Sequence, residues 1–135
     1  MKVYIAGPLC GKKERKFLER IDKLVRNLGF DTYLPHRDCG LYKDMKDVKR
    51  IAKRGVEEIY NCDIMVGILN GISVGAGTAW EMGFMQALGK KVIGLKTDRI
   101  IKESIADISA VIVGSVEIVE SIEELKKKLK NLKAI

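Results

Sequence analysis

The 135-residue sequence holds one histidine, one tryptophan, one glutamine and only three cysteines. Those cysteines, Cys10, Cys39 and Cys62, are odd in number and lack Cys-x-x-Cys spacing. Neither a disulfide framework nor a metal site is therefore expected, and a reducing cytoplasm is the expected compartment. No apolar run approaches the ~20 residues of a membrane span. The opening MKVYIAGPLCG is too short in its apolar stretch for a signal peptide and reads directly into a strand and turn. Aromatic residues make up 6% of the chain and do not interleave with its basic residues, which argues against a nucleic-acid polymer as partner. Repeats, linkers and low-complexity segments are absent, so residues 1–135 are expected to form one domain.

What the chain does hold is charge and apolar residues in balance. At 47% hydrophobic it can build a core, and 25 Lys and Arg against 18 Asp and Glu leave a net charge of +7. An excess of that sign suits an anionic partner such as a nucleotide. The basic residues, however, stand beside acidic ones on helical stretches, as in Lys12-Lys13-Glu14-Arg15-Lys16. A solvated surface is the simpler reading. The Lys- and Glu-rich composition with Gln86 as sole glutamine also resembles the pattern of thermophile proteins.

Apolar periodicity predicts alternating strands and helices. Lys2–Ala6 reads as a strand, then a helix from about Lys12 to Leu28 ended by Gly29, then a strand from Phe30 to Leu34. A loop, 35–40, leads to a helix over roughly Asp44–Tyr60, a strand at Ile64–Leu69 and a helix reaching Gly89. Lys91–Leu95 is a fourth strand, residues 100–105 a short helix, Ala110–Val113 a fifth strand, and Ser121 caps a final helix. The expectation is an α/β, flavodoxin-like three-layer sandwich with a five-stranded parallel sheet in the order 2-1-3-4-5.

In that order Gly7–Gly11, the 35–40 loop with His36, and Gly75–Glu81 converge on one crevice at the carboxyl ends of the strands. Neither glycine turn has a phosphate-binding fingerprint. Glu81 has two readings. Thr78-x-x-Glu81 has capping-box spacing, with the glutamate bonding back to the Thr78 amide, and from spacing alone this is the commoner arrangement. Alternatively, Gly75 and Gly77 clear space for a ligand, and the helix N-terminus keeps Glu81 ionised as nucleophile or base. A lone loop histidine is more often incidental than catalytic, though His36 is placed in the crevice.

Three stretches carry a resemblance: Val3-Tyr-Ile-Ala-Gly-Pro8; Asp63-Ile-Met-Val before Leu69-Asn70-Gly71; and Gly77-Thr-Ala-Trp-Glu81-Met-Gly-Phe followed by Ala87-Leu-Gly-Lys-Lys-Val92. In order and spacing the chain resembles the nucleoside 2-deoxyribosyltransferase family. The resemblance implies that Glu81 attacks the anomeric carbon of a 2′-deoxyribonucleoside. The resulting deoxyribosyl ester is resolved by a second base or by water, much as in a retaining glycosidase. It implies Tyr4 beside the nucleophile; Gly7, Pro8, Leu9, His36, Asn70, Gly75, Gly77 and Thr78, on and beside the converging turns, are expected around the substrate. It implies no metal and no organic cofactor. The expected partners are a small deoxynucleoside or deoxynucleotide, a free nucleobase, and further copies of the chain, with 109–115 contributing to a neighbour's site.

Two positions depart from the family pattern. Relatives carry an acid near the position of Gly55, and an Asp or Ser where this chain has Gly75. The related nucleotide N-hydrolases carry Ser-x-Arg after the first-strand glycine, where this chain has Pro8-Leu9-Cys10. That difference favours the transferase branch, and the missing acids favour a non-catalytic nucleoside- or nucleotide-binding domain of the same fold; a deoxynucleoside 5′-phosphate N-hydrolase is the other alternative.

Overall fold

The computed structural model describes residues 1–134. Three short apolar runs closed by turn residues become buried strands, β1 (Lys2–Ala6), β3 (Ile64–Ile68) and β4 (Lys91–Leu95), and two three-residue strands, β2 (Asp31–Tyr33) and β5 (Glu117–Val119), flank them. They form one parallel sheet in the order β2-β1-β3-β4-β5, as expected. The helices are α1 (Lys12–Asn27), α2 (Pro35–Asp38), α3 (Met45–Asn61), α4 (Ala76–Ala87), α5 (Ile105–Ile108), α6 (Ala110–Ser115) and α7 (Ile122–Lys133), with a 3-10 turn at Ile101–Glu103. Among the described residues no helix is long and apolar enough to cross a membrane.

Strand alternation sorts the core into two halves. Val3, Ile5, Ile64, Val66, Ile68, Ile93 and Leu95 pack against Leu18, Ile21 and Val25 of α1 and Leu125 and Leu129 of α7. Tyr4, Ala6, Met65 and Val92 face the other way, against Ile59 of α3, Met82 and Met85 of α4 and Ile108 of α5. The crossing of α4 over β3 is close. A Cβ added at Gly67 would stand 2.5 Å from Met82 Sδ, so any side chain there displaces the methionine or the helix. Helices α1 and α4 end as their sequences suggest, with Gly29 and Gly89 at positive φ just past their last turns.

Two expectations fail. Ala110–Val113 is not the fifth strand but opens α6, after Ser109 whose hydroxyl accepts the Val111 N–H. A four-residue apolar run fits a short helix as well as a strand, and here Ile112 and Val113 turn inward while Val111 is exposed. The true edge strand was masked by Glu117, whose carboxylate pairs with Lys91 and Lys128 at the rim. The 35–40 loop, likewise, contains a helical turn that starts at Pro35, a favoured first helical position.

Candidate active site

At the carboxyl ends of β1 and β2 a cavity of about 370 Å³ opens between the sheet, α3 and α4. Its size lies within the range of small-ligand sites. Tyr4, Gly7, Leu9, Tyr33 and Pro35 form one side, Ile51, Ala52, Gly55, Val56 and Ile59 of α3 a second, and Gly77, Trp80 and Glu81 of α4 the third. The lining is apolar apart from two phenols, one carboxylate and the indole N–H of Trp80, and it contains no lysine, arginine or histidine.

The capping-box reading of Glu81 does not hold. Helix α4 begins at Ala76 with Gly75 as N-cap and no side chain capping it. Thr78 is therefore the third helical residue, buried, and Glu81 the sixth. That places Glu81 past the first turn, beyond reach of the orphan N–H groups and of most of the helix dipole. Its Oε2 accepts a hydrogen bond from the Tyr4 hydroxyl instead. The glycines and alanines at 75–77 give few cues to a helix start, so the Thr78 and Glu81 pair suggested one two residues late.

Burial raises the Glu81 carboxyl above the ordinary glutamate range, and the Tyr4 hydrogen bond opposes that rise. Burial first, and the Glu81 charge next, push the Tyr4 phenol far above its usual value. Tyr4 thus keeps its proton and acts as a donor. Its ring rests 4.9 Å from that of Tyr33, whose phenol burial also raises, and the Arg54 guanidinium lies 5.4 Å from the Tyr33 ring centre.

Of the residues singled out in the sequence, Tyr4, Gly7, Leu9, Gly77 and Glu81 line this cavity. Pro8 and Asn70 face a separate hollow with Lys13, Phe17 and Asp98, and the Asn70 amide is engaged with Thr97 through bonds of 2.8 Å in each direction. Gly75 and Thr78 shape the start of α4 without lining the cavity. His36 is turned toward α1, its Nε2 3.0 Å from Glu19, and does not line the cavity. Of the α3 wall the sequence pointed only to Gly55, although Ile51, Gly55 and Ile59 recur at a four-residue spacing that marks one helix face. Among the described residues no group of three His, Cys, Asp or Glu is placed to hold a metal.

An open parallel sheet thus carries a tyrosine-bound carboxylate in an apolar cavity at its carboxyl edge, where sheets of this kind bind small molecules. The chain belongs to the nucleoside 2-deoxyribosyltransferase family, whose model matches residues 3–129. It is thereby an enzyme of the deoxyribosyltransferase or N-glycosidase type, acting on small nucleoside substrates. A conserved protein from Enterococcus faecalis V583 is 26% identical with a TM-score of 0.79, over 98% of each chain. The 2-deoxyribosyltransferase of Bacillus psychrosaccharolyticus is 24% identical, TM-score 0.76, over 96% of each chain. A CMP N-glycosidase from Clostridium botulinum shares the fold at 19% identity and TM-score 0.57 over the whole of both chains. No curated protein matches the sequence.

Proposed function

We propose that this chain cleaves or transfers the N-glycosidic bond of 2′-deoxyribonucleosides with Glu81 as nucleophile and Tyr4 as its hydrogen-bonding partner. The observation that carries this is the Tyr4–Glu81 hydrogen bond inside the apolar cavity. A Glu81 oxygen forms a bond to C1′ while the C1′–N bond breaks, and the electron pair departs with the base, which takes up a proton from solvent. A second base or a water then attacks C1′ and releases the Glu81 carboxylate. The Tyr4 hydroxyl orients the carboxylate and favours its ionised form, offsetting part of the cost of burial.

The cavity favours a neutral nucleoside over a 5′-phosphate. No cationic side chain lines it, and the Glu14 carboxylate folds over Gly11 at the start of α1, where a phosphate would otherwise find free N–H groups. Self-association suits the exposed Trp80 at the cavity mouth and the exposed Val111 on α6. One domain over residues 1–135 and residence in the cytoplasm accord with this reading.

The test is Glu81→Gln with a deoxynucleoside and a free acceptor base. Turnover should fall by roughly 10³-fold or more while binding persists. A slow 2-fluorinated nucleoside should add a sugar mass to the peptide containing Glu81 in the wild type. Retained activity in the variant, or a label on another peptide, would refute the assignment. Sedimentation of the wild type as a monomer at assay concentration would refute self-association.

A further inference from the structure

Gly55 lies in the interior of α3, where glycine is a poor helix former. Two packing reasons can justify such a glycine, a positive φ or a close approach of other atoms. Neither applies. Its φ is not positive, and a Cβ built there would meet only the Tyr4 hydroxyl oxygen, at an ordinary 3.5 Å. The contrast is with Gly67, where Met82 leaves no room for a side chain. Gly55 does line the cavity, so the space it leaves serves whatever enters.

We propose that Gly55 is a specificity-determining position that admits a 2′-hydroxyl, so that the site accepts ribonucleosides as well as 2′-deoxyribonucleosides. The inference rests on the reading of Glu81 as nucleophile. Direct displacement brings the attacking oxygen to the sugar face opposite the base. A ribo 2′-hydroxyl projects from that same face, one carbon from the reacting centre. It must therefore fit beside the Glu81–Tyr4 pair, and the bare backbone of Gly55 is next to the Tyr4 oxygen. That oxygen donates its proton to Glu81 and keeps lone pairs to accept one from a 2′-hydroxyl. An arabino 2′-hydroxyl projects from the base's face and does not meet this wall.

The experiment compares kcat/KM for matched deoxyribo-, ribo- and arabino-nucleosides in wild type and Gly55→Ala, with the melting temperature of each protein. Wild type should release base from the ribonucleoside. In Gly55→Ala the ribo-to-deoxyribo ratio should fall by about tenfold or more, the discrimination a single methyl group gives, while the arabino-to-deoxyribo ratio stays within about threefold. The variant should melt a few degrees above wild type, because alanine is the better helix former. A wild type that cleaves the deoxyribonucleoside and leaves the ribonucleoside intact overturns this inference alone. So does a variant in which both ratios fall together, or one that melts lower and so shows the glycine to be structural. If wild type cleaves none of the three, the proposed function fails, and this inference with it.

Discussion

Tyr4 on β1 and Glu81 on α4, 77 residues apart, are joined by one hydrogen bond in which the phenol donates to carboxylate Oε2. The bond spans the seam between sheet and helix, and it acts on the titration of both partners. Burial raises the glutamate, the donated proton lowers it, and burial has the larger effect.

Removing the donor should therefore move the acid limb of the pH profile. In Tyr4→Phe the Glu81 carboxyl rises further, so the pH above which kcat/KM levels off should shift upward. At neutral pH kcat/KM should fall roughly tenfold to a hundredfold, the worth of a hydrogen bond to a charged group. An unshifted acid limb in the pH–rate profile would show that Tyr4 does not touch the ionising group.

Stability should respond to Glu81 with the opposite sign to most carboxylates. The native carboxyl titrates above its unfolded value, so between those two values the native state binds more protons. Stability therefore falls as pH rises through that window, and the loss persists at neutral pH. Glu81→Gln should be at least as stable as wild type at pH 7, and the difference should close toward pH 4. Urea unfolding at both pH values measures this.

Lys90 anchors the end of α3. Its Nζ donates to the carbonyls of Ile59, Tyr60 and Cys62 at 3.0, 2.6 and 2.7 Å. Cations are favoured at helix C-termini, where carbonyls lack intrahelical partners. Lys90→Met should lower stability by about 1–3 kcal/mol, read from the urea midpoint.

Gly67→Ala tests the seating of α4 on β3. The added methyl meets Met82 Sδ at 2.5 Å, and the helix must move or the methionine change rotamer. Overpacking of this kind costs about 1–3 kcal/mol. Because α4 also carries Glu81, kcat/KM should fall with the melting temperature. A variant that loses stability and keeps full activity would show that Met82 yields without moving the helix.

The sheet was legible in the sequence because burial leaves little choice. Lys2–Ala6 and Lys91–Leu95 are strands to the residue, bounded by polar and glycine positions. The alternation of strands and helices gave the parallel sheet, and the order 2-1-3-4-5 was one doubly wound order among those it allows. The edge was harder to read, since β5 is three residues long and half-solvated, with a salt-bridged glutamate in it. Site residues fared unevenly for a related reason. The pairing of Tyr4 with Glu81 is invisible in local spacing, and only likeness to known enzymes suggested it. Capping spacing at Thr78 and Glu81 was present, yet tertiary contact with Tyr4 won over it. His36 stood in the expected loop, but the turn starting at Pro35 directed its ring toward Glu19.

The alternation along β1 separates two kinds of change. Val3 and Ile5 project into the half of the core shared with α1 and α7, while Tyr4 and Ala6 project toward α3 and α4. A single strand thus serves both halves of the core in strict turn, and only the Tyr4 side borders the cavity. Randomising Ile51, Ala52 and Val56, which line the cavity without belonging to either buried cluster, leaves the α1–α7 half untouched. Under the proposed function, substrate range can therefore be varied at the α3 wall without entering either buried half of the core.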